Sequence, residues 1–296
     1  MKNHRLAILL LLTATSFAQA HFKEGDIPVS PNVHIHYVEG GRVDAKATLL
    51  FIPGWTMSTA VWRHQMEQFA ATARVVSIDP RSQGESTITT ESNTPDQRAR
   101  DLRAVIAALK LSHIVLVGWS QGVQDVTSYA DQFAGDSISA YVLVDAPAGE
   151  GAAVAVSNPQ ALQQQLERLA LYEQHPREYI EGMMNAIIQT PEGRKQIDAL
   201  VPISLHTPPD LGITMLLMDF IAVDRRPALA KFNRPTLVIA AASSPELPAQ
   251  QAMTTAIPNA RIETVENAGH AVFIDQPQRF HDLLEKFLHE VERPIE

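Results

Sequence analysis

Cysteine is absent from the 296-residue sequence. This absence excludes disulfide bonds, thiolate metal ligands and a cysteine nucleophile, so the folded chain must be stabilised by its core. Basic clusters are absent too, and the formal net charge is −9 at pH 7. Because nucleic-acid-binding surfaces are basic, we expect no nucleic-acid partner. Hydrophobic residues make up 45% of the chain, which is enough for a large buried core.

Long hydrophobic runs are also absent, except at the N-terminus. There, Lys2 and Arg5 introduce the run LAILLLLTATSFA, and the small-residue motif AQA follows at positions 18–20. The pattern predicts a signal peptide over residues 1–20 that is removed before His21, and hence export to the periplasm or secretion. An uncleaved leader is the alternative. No later segment is as long as a membrane span, so we expect no stable membrane insertion after signal removal.

Short apolar runs alternate with longer amphipathic stretches along much of the remaining chain. This alternation is typical of an α/β fold with a mostly parallel central sheet flanked by helices. Leu102, Val105, Ile106 and Leu109 recur at the spacing of a helix face that packs on a sheet. We predict strands at 33–39, 48–53, 74–79, 114–119, 141–146, 236–241 and 261–266. We predict helices at 60–71, 95–110, 121–133 and 277–291.

The strand pattern stops between residues 147 and 231, where apolar helical stretches are interrupted by prolines. Since this block lies between two predicted strands of the same sheet, we interpret it as a helical cap inserted after a strand that ends near 146 and before one that starts near 236. The core would then comprise residues 21–146 and 232–296, and the cap residues 147–231.

A small polar turn follows the apolar run IVLV. In the segment GWSQG, Gly118, Ser120 and Gly122 fit the pattern G-x-S-x-G between a strand and a helix. A serine hydroxyl is a weak nucleophile unless a base removes its proton, so it must stand clear of the sheet where an imidazole can reach it. A sharp turn achieves this, and glycines leave room for the close approach of neighbouring backbone. The motif therefore predicts Ser120 as a nucleophile.

A candidate base lies near the C-terminal end of the chain. In NAGHAVF, His270 occupies a glycine-containing loop after the last predicted strand and before the last predicted helix, from which its ring can reach towards Ser120. Other histidines are interpreted as structural or exposed: His34, His36, His64, His113, His175, His206, His281 and His289.

Taken together, the motifs FIPGW, VVSIDPRSQGES, VGWSQG and NAGHAVFIDQP resemble those of the α/β-hydrolase fold superfamily in order and spacing. Some of them are also similar to those of the cofactor-free perhydrolases. The resemblance covers roughly residues 33–291 and implies that Ser120 is the nucleophile and His270 the base. It also implies that Asp79, Arg81 and Gly84 form a structural turn.

An oxyanion hole for such a serine needs two N–H donors. One is expected to be the backbone N–H of Gln121, the residue after the nucleophile. By resemblance, the other is the backbone N–H of Trp55, in the loop that follows LLFIP. Pro53 stands where the family usually has histidine, which changes the bracing of the loop but not the donor.

The acidic partner of His270 departs from the commonest family pattern. Ser244 stands where an aspartate is usual, and serine cannot stabilise an imidazolium as a carboxylate does. Two replacements remain: Asp145 at the end of a predicted strand, the position of the acid in some relatives, and Glu246. A solvent-assisted Ser–His dyad is the third alternative. Asp125, one turn into the following helix, is interpreted as a solvated surface charge.

The resemblance places the inserted helices over the active site as a cap. Apolar residues of the cap would then pack its interior and line a pocket for an acyl or alkyl group. Thioether side chains suit such a pocket because they fill irregular space. The candidate pocket residues are Met183, Met184, Met215 and Met218.

These features predict an exported serine hydrolase that cleaves a carboxylic ester or lactone through an acyl-enzyme, with Ser120, His270 and an acid. No cofactor or metal is implied, and the expected partner is a small ester-like molecule. The alternatives are a perhydrolase or amidase with the same residues, a cofactor-free dioxygenase, and a non-catalytic ligand-binding protein. The sequence does not define an oligomeric state.

Overall fold

The computed structural model describes residues 21–135 and 137–292. The predicted signal peptide, residues 1–20, lies outside the described residues, so it stays a prediction. Among the described residues, no helix is both long and apolar enough to cross a membrane.

Eight strands of the described chain form one sheet in the order β1-β2-β4-β3-β5-β6-β7-β8. The strands are β1 (Lys23–Ser30), β2 (Val33–Gly41), β3 (Thr48–Ile52), β4 (Arg74–Ile78), β5 (Ile114–Trp119), β6 (Ile138–Val144), β7 (Thr236–Ala241) and β8 (Ala260–Val265). Strands β3 to β8 are mutually parallel, whereas β2 pairs antiparallel with both β1 and β4. The carboxyl ends of the parallel strands therefore lie at one edge of the sheet. At this edge the loops that follow β5 and β6 are neighbours.

The central strands β3, β5 and β7 are buried along their whole length. Such continuous burial explains their unbroken apolar sequences, because helices cover both faces of a parallel sheet. Strand β1 was not predicted. Its sequence KEGDIPVS is mostly polar and contributes one buried hydrophobic residue, Ile27, which suits an edge strand.

Helices lie on both faces of the sheet. On one face, Leu102 of α2 and Val126 of α3 join the core, and on the other, Phe69 of α1 and Phe280 of α12 do so. The helices are α1 (Arg63–Phe69), α2 (Pro95–Ala108), α3 (Gln121–Phe133), α4 (Val154–Ser157), α5 (Pro159–Gln174), α6 (Pro176–Ile187), α7 (Pro191–Arg194), α8 (Ile197–Ser204), α9 (Pro209–Phe220), α10 (Leu247–Ala256), α11 (Val272–Asp275) and α12 (Pro277–Val291).

Helices α4 to α9 all lie between β6 and β7. Buried residues of this segment, including Tyr172 and Ile180, pack in the same hydrophobic cluster as Trp55, which follows β3, and Trp119, which ends β5. The predicted fold class, a mostly parallel sheet flanked by helices with a helical insertion between these strands, is confirmed. The exact division into a core and a cap stays a prediction.

Candidate active site

Ser120 occupies the turn between β5 and α3. Its backbone has φ 56° and ψ −115°, a conformation that costs a non-glycine residue free energy. The flanking glycines allow the turn: a Cβ on Gly118 would lie 2.4 Å from the carbonyl oxygen of Gly122, and a Cβ on Gly122 would lie 2.7 Å from that of Ile52. The strained turn lifts the hydroxyl of Ser120 beyond the end of β5.

His270 reaches the serine from the loop between β8 and α11. Its Nε2 lies 2.8 Å from Oγ of Ser120. The indole Nε1 of Trp119 donates to the backbone carbonyl of His270 at 3.0 Å, and the two rings lie 5.5 Å apart. Asp275 accepts a hydrogen bond from the N–H of Gly269 at 2.8 Å. Both contacts fix the loop that carries the imidazole.

Asp145 is the acidic residue that contacts His270. Its Oδ2 lies 2.9 Å from Nδ1 of His270, and its side chain is 1% exposed. The carboxylate follows directly after β6, and its Oδ1 accepts from the backbone N–H of Ala241 at 2.9 Å and from Nε2 of Gln250 at 3.1 Å. These bonds orient Oδ2 towards the imidazole. Gln250 was missed because α10, which carries it, was not predicted.

The other candidate acid, Glu246, makes no hydrogen bond or ion pair with His270 among the described residues. It immediately precedes α10 and is exposed. Ser244, at the usual position of the acid, accepts from Nε2 of Gln250 at 3.3 Å. The structure therefore brings Ser120, His270 and Asp145 together and leaves Glu246 outside the chain of contacts.

The two candidate oxyanion donors flank Ser120. Gln121 is the first residue of α3, so its backbone N–H has no acceptor within the helix. The loop that carries Trp55 approaches the serine closely, since a Cβ on Gly54 would lie 3.2 Å from Cβ of Ser120. The indole of Trp55 is anchored to the carbonyl of Gly212 in α9 at 2.8 Å.

The side chain of Gln121 joins a buried charge cluster. Its Nε2 donates to Oδ2 of Asp219 in α9 at 2.5 Å, and Oδ1 of Asp219 accepts from Nη2 of Arg98 at 2.5 Å. The same guanidinium donates through Nε to Asp125 at 2.7 Å. The prediction that Asp125 is a solvated charge is therefore wrong: it is 2% exposed and paired. Its partner lies in another helix, which sequence spacing could not indicate.

Two carboxylates share one guanidinium in this cluster. Burial raises the pKa of Asp125 to about 7, although the positive charge of Arg98 opposes the shift. Burial likewise raises the pKa of Asp219, again against the charge of Arg98. The pKa of Arg98 is raised by both carboxylates in spite of its own burial. Desolvation of the two carboxylates explains their raised pKa values, and their attraction for the guanidinium explains the raised pKa of Arg98.

Two cavities open on Ser120 and His270. The larger site cavity, about 260 Å³, is lined by Leu162, Gln165, Leu169, Leu216, Ile221 and Glu246, among others. The smaller site cavity, about 180 Å³, is lined by Trp55, Trp119, Gln165, Tyr179, Met183 and Leu216, among others. A substrate carbonyl at Ser120 could therefore extend one group into each cavity.

The methionines predicted to line the pocket are only partly there. Met183 lines the smaller site cavity. Met184 and Met215 are fully buried in the hydrophobic core instead, and Met218 lines neither site cavity. The helical sequence did not reveal which face of α6 or α9 would be turned towards the serine.

Other residues singled out in the sequence hold loops. Asp79 accepts from the N–H groups of Thr59 at 2.6 Å and Glu85 at 2.8 Å, and Arg81 forms a buried ion pair with Asp101 at 2.6 Å. Burial raises the pKa of Asp79, although these N–H donors oppose the shift. No cluster of three or more metal-ligating side chains occurs within residues 21–135 and 137–292.

Comparison with known proteins assigns the chain to a family. The family model described as "alpha/beta hydrolase fold" matches residues 47–277, which include Ser120, Asp145 and His270. The chain belongs to the alpha/beta hydrolase fold family. The match covers the segment between β6 and β7 as well as β3 to β8. The chain is thus a member of a family of hydrolases and related enzymes, as the sequence motifs predicted.

Relatives by sequence match parts of this chain. A bifunctional esterase/perhydrolase of Acinetobacter calcoaceticus is 32% identical over 123 residues, 41% of this chain and 44% of that protein. A putative non-heme chloroperoxidase of Synechocystis is 28% identical over 116 residues, 39% of this chain and 41% of that protein. Each match covers less than half the length of the curated relative.

Solved structures share the fold over nearly the whole chain. A thermophilic esterase from Thermogutta terrifontis superposes with a TM-score of 0.77 at 22% identity, covering 92% of this chain and 100% of that one. A bromoperoxidase from Bacillus anthracis gives a TM-score of 0.76 at 21% identity, covering 90% of this chain and 100% of that one. At these identities the likeness concerns the fold alone.

Proposed function

We propose that this protein is an exported serine hydrolase that cleaves a carboxylic ester or lactone. The observation that carries the proposal is the continuous chain of contacts from Ser120 Oγ to His270 Nε2 at 2.8 Å and from His270 Nδ1 to Asp145 Oδ2 at 2.9 Å. A nucleophile, a base and an orienting acid in this order are the arrangement that activates a serine. Export rests on the sequence of residues 1–20 alone.

The first half of the reaction forms an acyl-enzyme. Nδ1 of His270 keeps its proton and donates a hydrogen bond to the carboxylate of Asp145, which leaves Nε2 free to accept the proton of the Ser120 hydroxyl. Oγ of Ser120 then bonds to the carbonyl carbon, and the carbonyl π electrons move onto oxygen. The tetrahedral intermediate collapses as Nε2 returns the proton to the leaving alcohol oxygen. The buried carboxylate of Asp145 stabilises the transient imidazolium.

The negative oxygen of the intermediate needs donors that are already in place. The proposed donors are the backbone N–H groups of Trp55, whose loop packs against Ser120, and of Gln121, which follows it. Helix α3 begins at Gln121, so its N-terminal partial positive charge favours the developing negative charge. In the second half, water gives a proton to His270 and its oxygen attacks the acyl carbon. Ser120 regains the proton as the carboxylic acid leaves.

The direct test is hydrolysis of a p-nitrophenyl ester series, from acetyl to long acyl chains, by the chain that begins at His21. Ser120→Ala removes the nucleophile and should lower kcat by at least about a thousandfold. A fluorophosphonate should label the wild-type protein at Ser120 and leave Ser120→Ala unlabelled. Unchanged turnover in Ser120→Ala would refute the proposal.

A second candidate function is perhydrolysis, in which hydrogen peroxide replaces water. Its support is the 32% identity over 123 residues with a bifunctional esterase/perhydrolase. The peroxide oxygen would attack the acyl carbon and release a peracid, while Ser120 regains its proton through His270. Peracid formation from acetate ester and peroxide, lost in Ser120→Ala, would support it. Hydrolysis without any peracid would leave the esterase alone.

A further inference from the structure

Glu246 lies beside the candidate catalytic residues without belonging to their hydrogen-bond chain. It follows β7 by a short loop and lines the larger site cavity together with Ser120 and His270. Its backbone N–H bonds Ser244, but its carboxylate has no hydrogen-bond or ion-pair partner within the described residues. Asp145 contacts His270 instead, so Glu246 is an unpaired acidic residue in the lining of the space that a substrate would fill.

No lysine or arginine in the described part of the chain forms an ion pair with this carboxylate. Among the described residues, no lysine or arginine lines the larger or the smaller site cavity. The other lining groups of the larger site cavity are mainly aliphatic, such as Leu162, Leu169 and Ile221, with Gln165 as a polar exception. The smaller site cavity, which also borders Ser120, is lined in part by the aromatic residues Trp55, Trp119 and Tyr179. Carboxylates and aromatic faces both attract cations.

The net charge of the whole chain also favours a cationic ligand, because it is formally −9. A net negative protein raises the local concentration of cations and lowers that of anions near its surface. Within the site, desolvation raises the pKa of Glu246, the charge of His270 lowers it and that of Asp145 raises it further. The opposite charge of a bound cation would offset both the cost of desolvating the carboxylate and its repulsion from Asp145.

We propose that Glu246 binds a positively charged group of the substrate, so that the preferred ester carries an ammonium group. The inference rests on the proposed ester hydrolysis and names the substrate class of that same site. A substrate that carries a carboxylate would meet Glu246 as a like charge and is disfavoured.

The experiment compares two esters of the same shape. Choline acetate carries a quaternary ammonium, and 3,3-dimethylbutyl acetate has carbon in place of the charged nitrogen. In the wild type, we expect kcat/KM for choline acetate to exceed that for the neutral ester. Glu246→Gln should lower the ratio about three- to tenfold, the effect expected of one partly desolvated charge pair, because kcat/KM for choline acetate falls by more than that for the neutral ester. Added salt should lower the wild-type ratio.

The control variant is Glu266→Gln, which removes the same charge from an exposed position that lines neither site cavity. It should keep the wild-type ratio. A ratio that is unchanged in Glu246→Gln overturns the inference. Equal losses for both esters overturn it too, because they would reflect a change of shape rather than of charge.

Binding of the alcohols separates this inference from the proposed function, since binding needs no turnover. Choline should bind the wild type about three- to tenfold more tightly than 3,3-dimethylbutan-1-ol, and Glu246→Gln should abolish the difference. Charge-selective binding without hydrolysis of any ester would refute only the proposed function. Ester hydrolysis without charge-selective binding would refute only the role of Glu246.

Discussion

The side-chain amide of Gln121 donates a hydrogen bond to the carboxylate of Asp219 over 2.5 Å. Gln121 begins the helix that follows the nucleophile, whereas Asp219 lies near the end of α9, between β6 and β7. The loop that carries Trp55 is tied to the same helix, because the indole of Trp55 donates to the carbonyl of Gly212. Helix α9 therefore holds both residues that we propose as oxyanion donors.

Removing the hydrogen bond between the side chains of Gln121 and Asp219 should displace the proposed oxyanion donor, the backbone N–H of Gln121, without removing it. Gln121→Ala keeps its backbone N–H, so we expect kcat to fall about tenfold, less than the loss of a whole oxyanion donor, with a smaller change in KM. Asp219→Ala should cause a similar fall. If both act through the same bond, the double variant loses no more than either single variant.

Steady-state kinetics on a p-nitrophenyl ester measure kcat for the two single variants and the double variant. Thermal unfolding checks that each variant is folded. Asp210→Ala is the matched control, because Asp210 is an exposed aspartate of the same helix. It should retain wild-type kcat. Strictly additive losses in the double variant would contradict the coupling.

Asp145 and Glu246 can be separated as partners of His270. Asp145→Asn keeps the shape of the side chain but favours the wrong imidazole tautomer, so kcat should fall by about a thousandfold or more. Glu246→Gln should keep kcat for a neutral ester within twofold, because Glu246 makes no hydrogen bond with His270. The opposite pattern would assign the acid to Glu246. Equal, small losses in both variants would favour a solvent-assisted dyad.

The sequence was most informative where a short motif reports a local geometry. Burial on both faces produces the unbroken apolar runs of β3, β5 and β7, and close backbone packing demands the glycines around Ser120. The order of motifs also predicted that Ser120 and His270 would meet. Such features depend on neighbours in sequence or on strand ends that a parallel sheet necessarily brings together.

The sequence was less informative where a residue's environment is set by distant partners. Asp125 looked like a surface charge, yet its burial depends on Arg98 of another helix. Gln250 supports Asp145 from the unpredicted helix α10. The choice between Asp145 and Glu246 stayed open in the sequence because both follow strands of the same edge. Only the three-dimensional direction of each side chain distinguishes the one that contacts His270.

The glycine before Ser120 provides a test of the turn. Gly118→Ala would put a Cβ 2.4 Å from the carbonyl oxygen of Gly122, so backbone must shift. We expect the free energy of unfolding to fall by about 2–4 kcal/mol and ester hydrolysis to drop with it. Gly182→Ala in α6 is the matched control, since its new Cβ would lie more than 4 Å from every described atom beyond its chain neighbours and the adjoining backbone of its own helix. It should stabilise the helix by about 0.5–1 kcal/mol. Denaturant unfolding measures both changes, and equal stabilities would contradict the packing argument.

The buried His281 should make stability depend on pH. It is 3% exposed, its ring lies 5.7 Å from that of Phe69, and its Nε2 has no hydrogen-bond partner among the described residues. Burial, together with the nearby His64, lowers the pKa of His281 to about 4 from its ordinary 6.5. Below pH 6.5 the unfolded chain therefore binds a proton that the folded chain does not bind until about pH 4. The stability that this histidine contributes is present above pH 6.5 and is lost as the pH falls through this window.

Replacing this histidine should remove that dependence. In His281→Phe we expect the free energy of unfolding to fall less between pH 7 and pH 4 than in the wild type, by about 1–3 kcal/mol. His289→Phe, at an exposed position of the same helix, should follow the wild-type curve. Urea unfolding at a series of pH values measures the three curves. If the curve of His281→Phe runs parallel to that of the wild type between pH 7 and pH 4, protonation of His281 is not what destabilises the folded chain in acid. The carboxylates of the buried Arg98 cluster would not explain such a loss of stability, because their raised pKa values favour the folded state as the pH falls.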